Sequence, residues 1–365
     1  MIDPREALRL WLATGLVPAP GTEAAAASLA ETARLQGVAG LLHTAIEIGD
    51  GGGSGWPAPV RDRLRETHRA LLARGIVQLD LVRRAQAVLE RRGAHSLPLK
   101  GAAVAETYYP TVADRPMADV DLLLLGDWDA AMEALRAEGF GGVEASDHAH
   151  ALRDAASGEV LELHHSVCSC PGFYPLEPGP LWERSRSAGG QIPRVPAAED
   201  LLIQLSLHAA FQHGLVLSLV QYLDFRRLLD AAPPDAERLL GLAASSRAEA
   251  PVAVALAAAE AVVGARVAPA LRERLRPHVP PGLAGWLARI ARAPLSIVAP
   301  AEAPLFRVRF ELAHGRRGEW LWRTLAPRSP SAGGEARRPL RAARRALALA
   351  GRWGPQILGS FRRPG

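Results

Sequence analysis

The chain has almost no lysine and no asparagine. Of its 43 basic residues one is lysine, Lys100, and the other 42 are arginine. Lysine and asparagine both have A/T-rich codons, so a G/C-rich genome accounts for this bias without reference to function. The bias does not account for the position of the one lysine, which stands between a short apolar run and a glycine in SLPLKGAAV.

The sequence also lacks the marks of a secreted or membrane-spanning chain. Its two cysteines, Cys168 and Cys170, are separated by one residue, and so short a loop disfavours a structural disulfide. No run of about 20 uncharged apolar residues occurs, so we expect no membrane span. The first residues, MIDPREALRLWLATG, carry charges where a signal peptide has an apolar stretch. These absences together predict a cytoplasmic protein.

Aromatic residues are scarce as well, at 5%, while alanine, leucine and arginine are abundant, a balance that favours helices. With 365 residues, 48% of them hydrophobic, the chain is long enough to bury a sizeable core. Its net charge of +5 is uneven, because residues 316–365 contain 12 arginines and two acids and therefore carry +10, which leaves −5 for the rest. Such a basic tail can bind RNA, an anionic membrane surface or an acidic partner, or can be a solvated and partly disordered end.

The distribution of apolar residues divides the chain into four regions. We predict an N-terminal helical region, a small α/β unit, a larger helical region and a basic tail, over residues 1–93, 94–168, 169–315 and 316–365. In the helical regions the apolar residues recur at helical spacing. The segments with this spacing are 3–14, 22–48, 60–92, 197–213, 215–230, 234–248, 250–264, 268–276 and 281–292. A basic amphipathic helix is also predicted within the tail, at 340–351.

The α/β unit has a different pattern. SLPLK is short and extended, and GAAVAETYY is typical of a helix, which Pro110 stops. An apolar run with two acids near its start, ADVDLLLL, predicts a buried strand over 118–125. Asp127 then caps a helix that ends at Gly139, and HALRDAASGEVLELHHSV predicts a hairpin. This order predicts an α+β fold, in which a small mixed sheet lies between an N-terminal helical region and a larger C-terminal one.

Asp119 and Asp121 form a D-V-D triplet at the start of the predicted strand. Side chains two residues apart on a strand point to the same face, so these carboxylates can share a divalent cation. Without a cation or a proton a buried pair would repel each other. Oxygen ligands together with substrate phosphates are what Mg²⁺ prefers. The alternative is a pair of strand-end acids that face solvent, since the triplet is common.

Three neighbouring features favour the metal interpretation. Lys100 and Gly101 lie at a predicted strand-to-helix turn, where glycine lets the backbone approach a phosphate and the helix N-terminus offers free N–H groups. Arg115, four residues before Asp119, can reach a phosphate from its loop. Glu162, on a later strand of the same unit, supplies a third carboxylate. Three carboxylates beside a phosphate-binding turn suit two-metal phosphoryl or nucleotidyl transfer.

Together the stretches LKG, R-x-M-x-D-V-D-L-L-L and L-E-L-H-H resemble the DNA polymerase β-like nucleotidyltransferase superfamily, and within it a family of uncharacterised bacterial nucleotidyltransferases. The resemblance covers about residues 97–166 and extends weakly to residue 230, through HAAFQH and QYLDFRRLL. The chain departs from the superfamily pattern in two ways. The serine of the usual Gly-Ser turn is missing, and the gap from Gly101 to Asp119 is long.

The resemblance implies an enzyme that moves a nucleoside monophosphate from a nucleoside triphosphate such as ATP to an acceptor hydroxyl or similar group. A small molecule or a peptide is the favoured acceptor, and the implied cofactor is Mg²⁺ or Mn²⁺. The residues implied to be catalytic and to bind the metal are Asp119, Asp121 and Glu162. The residues expected to bind the nucleotide are Lys100, Gly101, Arg115, His164, His208 and Asp224.

Some of these residues also have a purely structural interpretation. His164 shares a strand face with the third carboxylate, but it can equally be a packed or solvent-facing strand histidine. His208 can line a nucleotide site or pack within its own helix. Asp224 can line the site or pair with a neighbouring arginine on its helix, Arg226 or Arg227.

Four potential zinc ligands also stand close together, namely His164, His165, Cys168 and Cys170. Adjacent histidines on a strand point to opposite faces, and structural zinc sites draw their ligands from two separated pairs, so we disfavour a zinc site. Tyr108 and Tyr109 end the helix after the Lys-Gly turn. They can pack in the core, which we favour, or stack on a nucleobase.

Two other functions remain open at this point. One is a non-catalytic interaction protein on a nucleotidyltransferase scaffold, with the basic tail as its contact surface, although the retained acids and Lys100 speak against it. The other is an RNA-directed nucleotidyltransferase whose tail binds phosphates, so that binding weakens steeply with salt. The sequence has no aromatic-rich strand that could read RNA bases, and we therefore favour a small-molecule or peptide acceptor.

Overall fold

The computed structural model describes most of the chain up to residue 279, over residues 2–48, 55–145, 149–168, 174–190 and 192–279. Some predictions fall outside the described residues: the helices at 281–292 and 340–351, the tail 316–365 and the role of Cys170.

Four helices precede the sheet: α1 (Pro4–Thr14), α2 (Glu23–Leu35), α3 (Ala39–Ile48) and α4 (Ala58–Glu90). The prediction of one helix over 22–48 is wrong, because α2 and α3 are separate. The chain turns between them at Gly37, whose φ of 71° lies in the left-handed region that favours glycine. A Cβ at this position would lie 2.6 Å from Val220 Cγ1, so the turn also needs glycine to pack against a later helix.

Helix α4 confirms the single long helix predicted at 60–92. Its 33 residues span about 50 Å at 1.5 Å per residue. Gly93 follows its end with a φ of 71°, as a helix-stopping glycine does. Despite this length α4 is too polar to cross a membrane, and no other helix among the described residues is long and apolar enough to do so.

A five-stranded mixed sheet follows α4. Its strands are β1 (His95–Pro98), β2 (Val120–Leu125), β3 (Phe140–Ala145), β4 (Ala149–Asp154) and β5 (Val160–His164), in the order β1-β2-β5-β4-β3. β2 and β5 are parallel, and the other neighbours are antiparallel. Two helices connect the strands, α5 (Lys100–Tyr108) from β1 to β2 and α6 (Trp128–Ala137) from β2 to β3. The predicted strand, helices and hairpin are confirmed, and with them the α+β class.

Strand β3 lies at the sheet edge and was not predicted. Its sequence, FGGVEA, has two glycines near its start, and glycine is depleted in strands because it has no side chain to pack. Pairing with β4 nevertheless forms the strand, with a shift in register between Gly142 and Glu144. Tertiary pairing here overrides a weak local preference.

The alternating residues of β2 face two different environments. One face carries Val120, Leu122 and Leu124, which join the large apolar core that the sheet shares with the helices. The opposite face carries Asp121 and Leu123, and Leu123 packs in a small separate cluster with Leu97, Leu99, Val167 and Leu181. The sheet therefore keeps its main core on one face and presents Asp121 on the other.

Helices return after the sheet. They are α7 (Pro178–Arg184), α8 (Ala198–Ser206), α9 (Leu219–Ala231), α10 (Ala236–Ser245), α11 (Glu249–Val263) and α12 (Pro269–Leu275), with a short hairpin of β6 (Arg186–Ser187) and β7 (Arg194–Val195). Helix α11 is rich in alanine and valine and is buried on most sides, where it packs against α1, α8 and α9. The helices on either side of the sheet in the sequence thus contact each other, and α5 also packs on α9.

The predicted helix at 197–213 changes character in its last part. After Ser206 the chain continues as a π-helical turn, Leu207–Gln212. It ends where Gly214 and Leu215 adopt positive φ angles of 59° and 62°. Leu215 is buried, and a left-handed conformation is costly for a residue with a Cβ. Because π turns and strained residues are frequent at functional sites, this segment indicates that the surface it lines is a candidate functional site.

Candidate functional site

The parallel register of β2 and β5 creates the centre of the site. Asp121 on β2 pairs with Glu162 on β5. Residues paired across neighbouring strands point to the same face, so the two carboxylates stand side by side. The Asp121 side chain is only 7% exposed, whereas that of Glu162 is 32% exposed and reaches the open cleft.

His164 joins the two carboxylates from the same face of β5, two residues after Glu162. Its Nε2 lies 2.7 Å from Asp121 Oδ1 and 3.4 Å from Glu162 Oε2, and its side chain is fully buried. Asp121, Glu162 and His164 each offer a possible ligand atom, and these atoms lie within 4.8 Å of one another. Among the described residues this group could hold a metal ion.

Lys100 closes the other side of Asp121. Its Nζ donates to Asp121 Oδ1 at 2.6 Å, and its backbone N–H donates to Gln204 Oε1 at 3.2 Å. The backbone sets this position, because the N–H of Leu99 donates to the carbonyl of Asp121 at 2.9 Å. Lys100 has a φ of 43°, a strained conformation for a non-glycine residue. The lysine of the predicted Lys-Gly turn thus faces a carboxylate of the D-V-D triplet.

Packing also explains why position 101 is a glycine. A Cβ at this position would lie 3.2 Å from Met117 Cγ and 3.5 Å from Arg115 Nη2. These distances mean that the loop before β2 sits directly against the start of α5. The predicted approach of the Gly101 backbone to a phosphate stays a prediction.

The charges of this centre are strongly coupled. Burial alone would raise the pKa of Asp121, but the charge of Lys100 and the hydrogen bond from His164 hold it far below its usual range. Burial likewise opposes the ammonium of Lys100, yet the charge of Asp121 raises its pKa. Asp121 is therefore an anion and Lys100 a cation.

Asp119 stands just before β2 and lines the same cleft, half-buried. Burial raises its pKa, and the negative charges of Asp121 and Glu162 raise it further. The two acids of the triplet do lie near each other, as predicted, but Asp119 is not part of the group whose ligand atoms lie within 4.8 Å.

Arg115 and Asp224 form a second buried centre. The guanidinium of Arg115 donates to both carboxylate oxygens of Asp224, at 2.7 and 2.8 Å, and Tyr109 donates to Oδ1 at 2.9 Å. The expected pairing of Asp224 with Arg226 or Arg227 is wrong, because the partner comes from the loop before β2. Arg115 also donates to the carbonyl of Pro116 at 2.6 Å, so this network attaches the loop to α9.

Tyr108, the last residue of α5, and Tyr109, which follows it, both pack in the core, as favoured from the sequence. Tyr108 and Tyr109 are each 7% exposed. The phosphate contact expected for Arg115 and the nucleotide contact expected for Asp224 stay predictions. Arg115 does line the cleft, although its three guanidinium nitrogens already donate to Asp224 and Pro116.

The π-helical turn supplies the opposite wall of the cleft. His208 Nδ1 lies 3.0 Å from Gln212 Oε1, and the rings of His208 and His213 stand 4.3 Å apart. Burial and, after it, the charge of Lys100 lower the pKa of His208 well below its usual value, so its imidazole is neutral. His208 and Gln212 both line the cleft.

The cleft between these walls has a volume of about 730 Å³, within the range typical of small-ligand sites. The predicted site residues that line it are Lys100, Gly101, Arg115, Asp119, Asp121, Glu162 and His208. Sequence reasoning missed Arg34, Gln212, His213, Ser218 and Gln221, which also line it. Ser218 and Gln221 cap α9 reciprocally, and a polar capping pair carries no local sign of a cleft.

The zinc interpretation finds no support among the described residues. His164 points to Asp121, whereas the ring of His165 packs edge-on against Trp128 at 5.6 Å. The adjacent histidines therefore diverge, as strand geometry predicts. Cys168 is buried and does not belong to the potential metal group.

Comparison with known protein families identifies a match over most of the described chain. The family model described as uncharacterised nucleotidyltransferase matches residues 22–264, about two thirds of the 365-residue chain. The match extends well beyond the stretch that carries the resemblance in sequence. It includes α2, the whole sheet, the π-helical turn and α11, and therefore every residue of the cleft. No curated protein and no solved structure matches the chain.

Proposed function

Because the chain belongs to the uncharacterised nucleotidyltransferase family, we propose that its cleft transfers a nucleoside monophosphate from a nucleoside triphosphate to an acceptor hydroxyl or similar group. The observation that carries the proposal is the group of Asp121, Glu162 and His164, with Asp119 and Lys100 beside it. A nucleotidyl transfer needs a concentrated negative site for a cation next to a positive group for phosphate, and this cleft contains both.

The residues fit a divalent cation. Carboxylate oxygens are hard ligands that suit Mg²⁺ or Mn²⁺; Asp121 and Glu162 would supply them, and Asp119 lines the cleft beside them. Burial and, after it, the negative charges of Asp121 and Glu162 raise the pKa of Asp119, and a cation beside these carboxylates would stabilise their charged forms. When bound, such a cation supplies charge neutralisation for phosphate oxygens and lowers the pKa of the acceptor hydroxyl.

Lys100 and Glu162 have distinct parts in this proposal. An ammonium has three N–H donors, and that of Lys100 uses one on Asp121, so it can donate others to the oxygens of the triphosphate. Glu162 is the most exposed carboxylate of the group and can accept the proton of the acceptor hydroxyl. Asp121, by contrast, is held as an anion and serves as a ligand.

The π-helical wall would bind the nucleoside. The neutral imidazole of His208 and the amide of Gln212 can donate to and accept from a base or a ribose without adding charge. None of the described residues that line the cleft is Phe, Tyr or Trp, so the cleft has no aromatic surface for stacking a strand of bases. This composition supports a small-molecule or peptide acceptor over RNA.

The first test is independent of the acceptor. Each of the four nucleoside triphosphates, with Mg²⁺ or Mn²⁺, is added to wild type and to Asp121→Asn, and the Tm is measured. We expect a metal-dependent rise in Tm for wild type with at least one triphosphate, and none for Asp121→Asn. Asp62→Asn is the matched control, since Asp62 is an exposed residue of α4 and should respond as wild type does.

The second test measures transfer. With an α-labelled triphosphate and an extract of small molecules and peptides as acceptors, we expect label transfer and pyrophosphate release by wild type. Asp121→Asn should lower the rate on the order of 10³-fold, since it removes a charged group at the reacting phosphate. Transfer by Asp121→Asn at the wild-type rate would contradict the proposal.

A further inference from the structure

The potential metal group differs from the acid triad expected from the sequence. Its third member is an imidazole, that of His164, and not the carboxylate of Asp119. The cause is local geometry. His164 follows Glu162 by two positions on β5 and shares its face, whereas Asp119 precedes β2, which begins at Val120.

His164 is held in place on all sides. Its side chain is fully buried, and β5 pairs with β2 on one side and β4 on the other, with Leu123 and Ala149 as the partners of His164. Its Nε2 lies 2.7 Å from Asp121 Oδ1, to which it donates, and 3.4 Å from Glu162 Oε2, so it points at the gap between them, and coordination of a cation by Nε2 would replace that hydrogen bond and release its proton. A nitrogen in that gap lies where a third ligand would complete a site with these two oxygens.

We propose that His164 Nε2 is a ligand of the divalent cation, with Asp121 and Glu162, and that the site consequently prefers Mn²⁺ to Mg²⁺. This inference rests on the proposed function, because it concerns the same cation. Imidazole nitrogen is a good ligand for first-row transition metals, whereas Mg²⁺ prefers oxygen ligands and keeps several waters. Asp119 then lies outside the three-residue ligand set and acts from the edge of the cleft.

The direct test is electron spin-echo envelope modulation of Mn²⁺ bound to the full chain. A coordinated imidazole nitrogen couples to the electron spin and modulates the echo. We expect ¹⁴N modulation in wild type and its loss in His164→Gln, whose side-chain oxygen can take the place of Nε2. His208→Gln is the matched control, because it removes an imidazole that lines the cleft but does not belong to the potential metal group. It should keep the modulation.

Affinity provides a second measurement. By titration calorimetry we expect wild type to bind Mn²⁺ at least tenfold more tightly than Mg²⁺. In His164→Gln the ratio should shrink towards that of an all-oxygen site, mainly because Mn²⁺ binding weakens, by roughly 10–100-fold as for other changes around a metal. His208→Gln should leave the ratio unchanged.

The outcomes separate this inference from the proposed function. Mn²⁺ binding by wild type without nitrogen modulation overturns the inference and leaves the proposed function standing. Failure to bind either cation, together with no Tm response to any triphosphate, overturns both. If His164→Gln does not fold, wild type grown with ¹⁵N-histidine decides the question. Replacement of the ¹⁴N pattern by a ¹⁵N pattern, with the modulation retained in His208→Gln and His213→Gln, supports the assignment to His164.

Discussion

Asp121 and Asp224 are both buried aspartates that bind a cationic side chain from another segment, but their surroundings differ in charge and in access. Asp224 has one partner charge, Arg115, which donates to both of its oxygens, and Tyr109 completes the set. Asp121 shares Lys100 with two more carboxylates, Glu162 and Asp119, and Glu162 is a third exposed. The first group pairs one carboxylate with one guanidinium, while the second gathers three carboxylates around Lys100 and the imidazole of His164 at the cleft.

The comparison teaches how to separate a structural ion pair from a binding site when both are buried. A balanced and fully hydrogen-bonded pair has no charge left for a ligand, so its effect is on stability and on the position of the loop before β2. An unbalanced group costs free energy in the folded state unless a cation joins it. The gathering of three carboxylates around Lys100 is therefore the feature that distinguishes the candidate site.

The largest loss of unfolding free energy is expected from a variant that breaks the ion pair of Arg115 and Asp224. Arg115→Met leaves Asp224 buried with only the hydroxyl of Tyr109, and an uncompensated buried charge costs about 3–5 kcal/mol of unfolding free energy. Urea unfolding measures the change. Arg83→Met is the control, because Arg83 pairs with Asp80 on the surface and its removal should change little.

The double variant Arg115→Met with Asp224→Leu sharpens this prediction. Replacing both charges by apolar groups removes the uncompensated carboxylate, so it should recover a large part of the loss. A double variant that costs the sum of the two single changes would show that the two residues act independently, contrary to the structure.

A smaller loss of unfolding free energy is expected from a variant that breaks the contact of Lys100 with Asp121. Lys100→Met removes a charged hydrogen bond to Asp121 and should cost about 1–3 kcal/mol. Because the remaining carboxylates attract a cation, Mn²⁺ should raise the Tm of Lys100→Met more than that of wild type, and it should give Arg115→Met no such extra rise. Lys100→Arg keeps the charge and is the matched control. Equal Mn²⁺ responses in Lys100→Met and Arg115→Met would remove the distinction between the groups.

The smallest loss of stability is expected from a third pair, at the end of β4. Arg84 donates to Asp154 at 2.7 Å, and this hydrogen bond lowers the pKa of Asp154 to about 2. A carboxylate with a depressed pKa stabilises the fold above its unfolded pKa, near 3.9, and loses that contribution as the pH falls through about 2. Arg84 is a third exposed, so solvent screens the pair and we expect about 1–2 kcal/mol.

The measurement compares wild type with Asp154→Asn in urea at pH 7, 4 and 2.5. The difference in unfolding free energy should be full at pH 7, begin to fall near pH 4 and be markedly smaller at pH 2.5. A difference that is constant with pH would assign the effect to packing and not to charge. Unlike the centre around Asp121, this pair should not respond to Mn²⁺.

Local pattern allowed correct prediction of the elements that build the site. The apolar run with two acids predicted β2, the spacing of apolar residues predicted α4, and the hairpin of β4 and β5 followed from its turn residues. These predictions hold because the period of a strand or a helix is a property of a short stretch of chain. The same locality placed Asp119 beside Asp121, two residues away, whereas Lys100 meets Asp121 because β1 pairs with β2.

Contacts between distant segments could not be predicted in this way. Arg115 and Asp224 are 109 residues apart, and local charge suggested an arginine on the same helix instead. The split of the predicted helix 22–48 depends on the packing of Gly37 against Val220, from a helix far along the chain. The π-helical turn and the cleft residues Ser218 and Gln221 also have no local signal, because the cleft forms only when α9 packs near the sheet.

The sequence by itself determined the kind of chemistry at this site: two acids on a strand, a third on a later strand and one lysine before a glycine. Alternation along β5 already put His164 on the face of Glu162. Only the tertiary structure decided that β5 lies parallel beside β2 with Glu162 opposite Asp121, which brings the imidazole within 2.7 Å of that carboxylate. Register between strands depends on the burial of a whole face, and that is a property of the folded chain and not of any one segment.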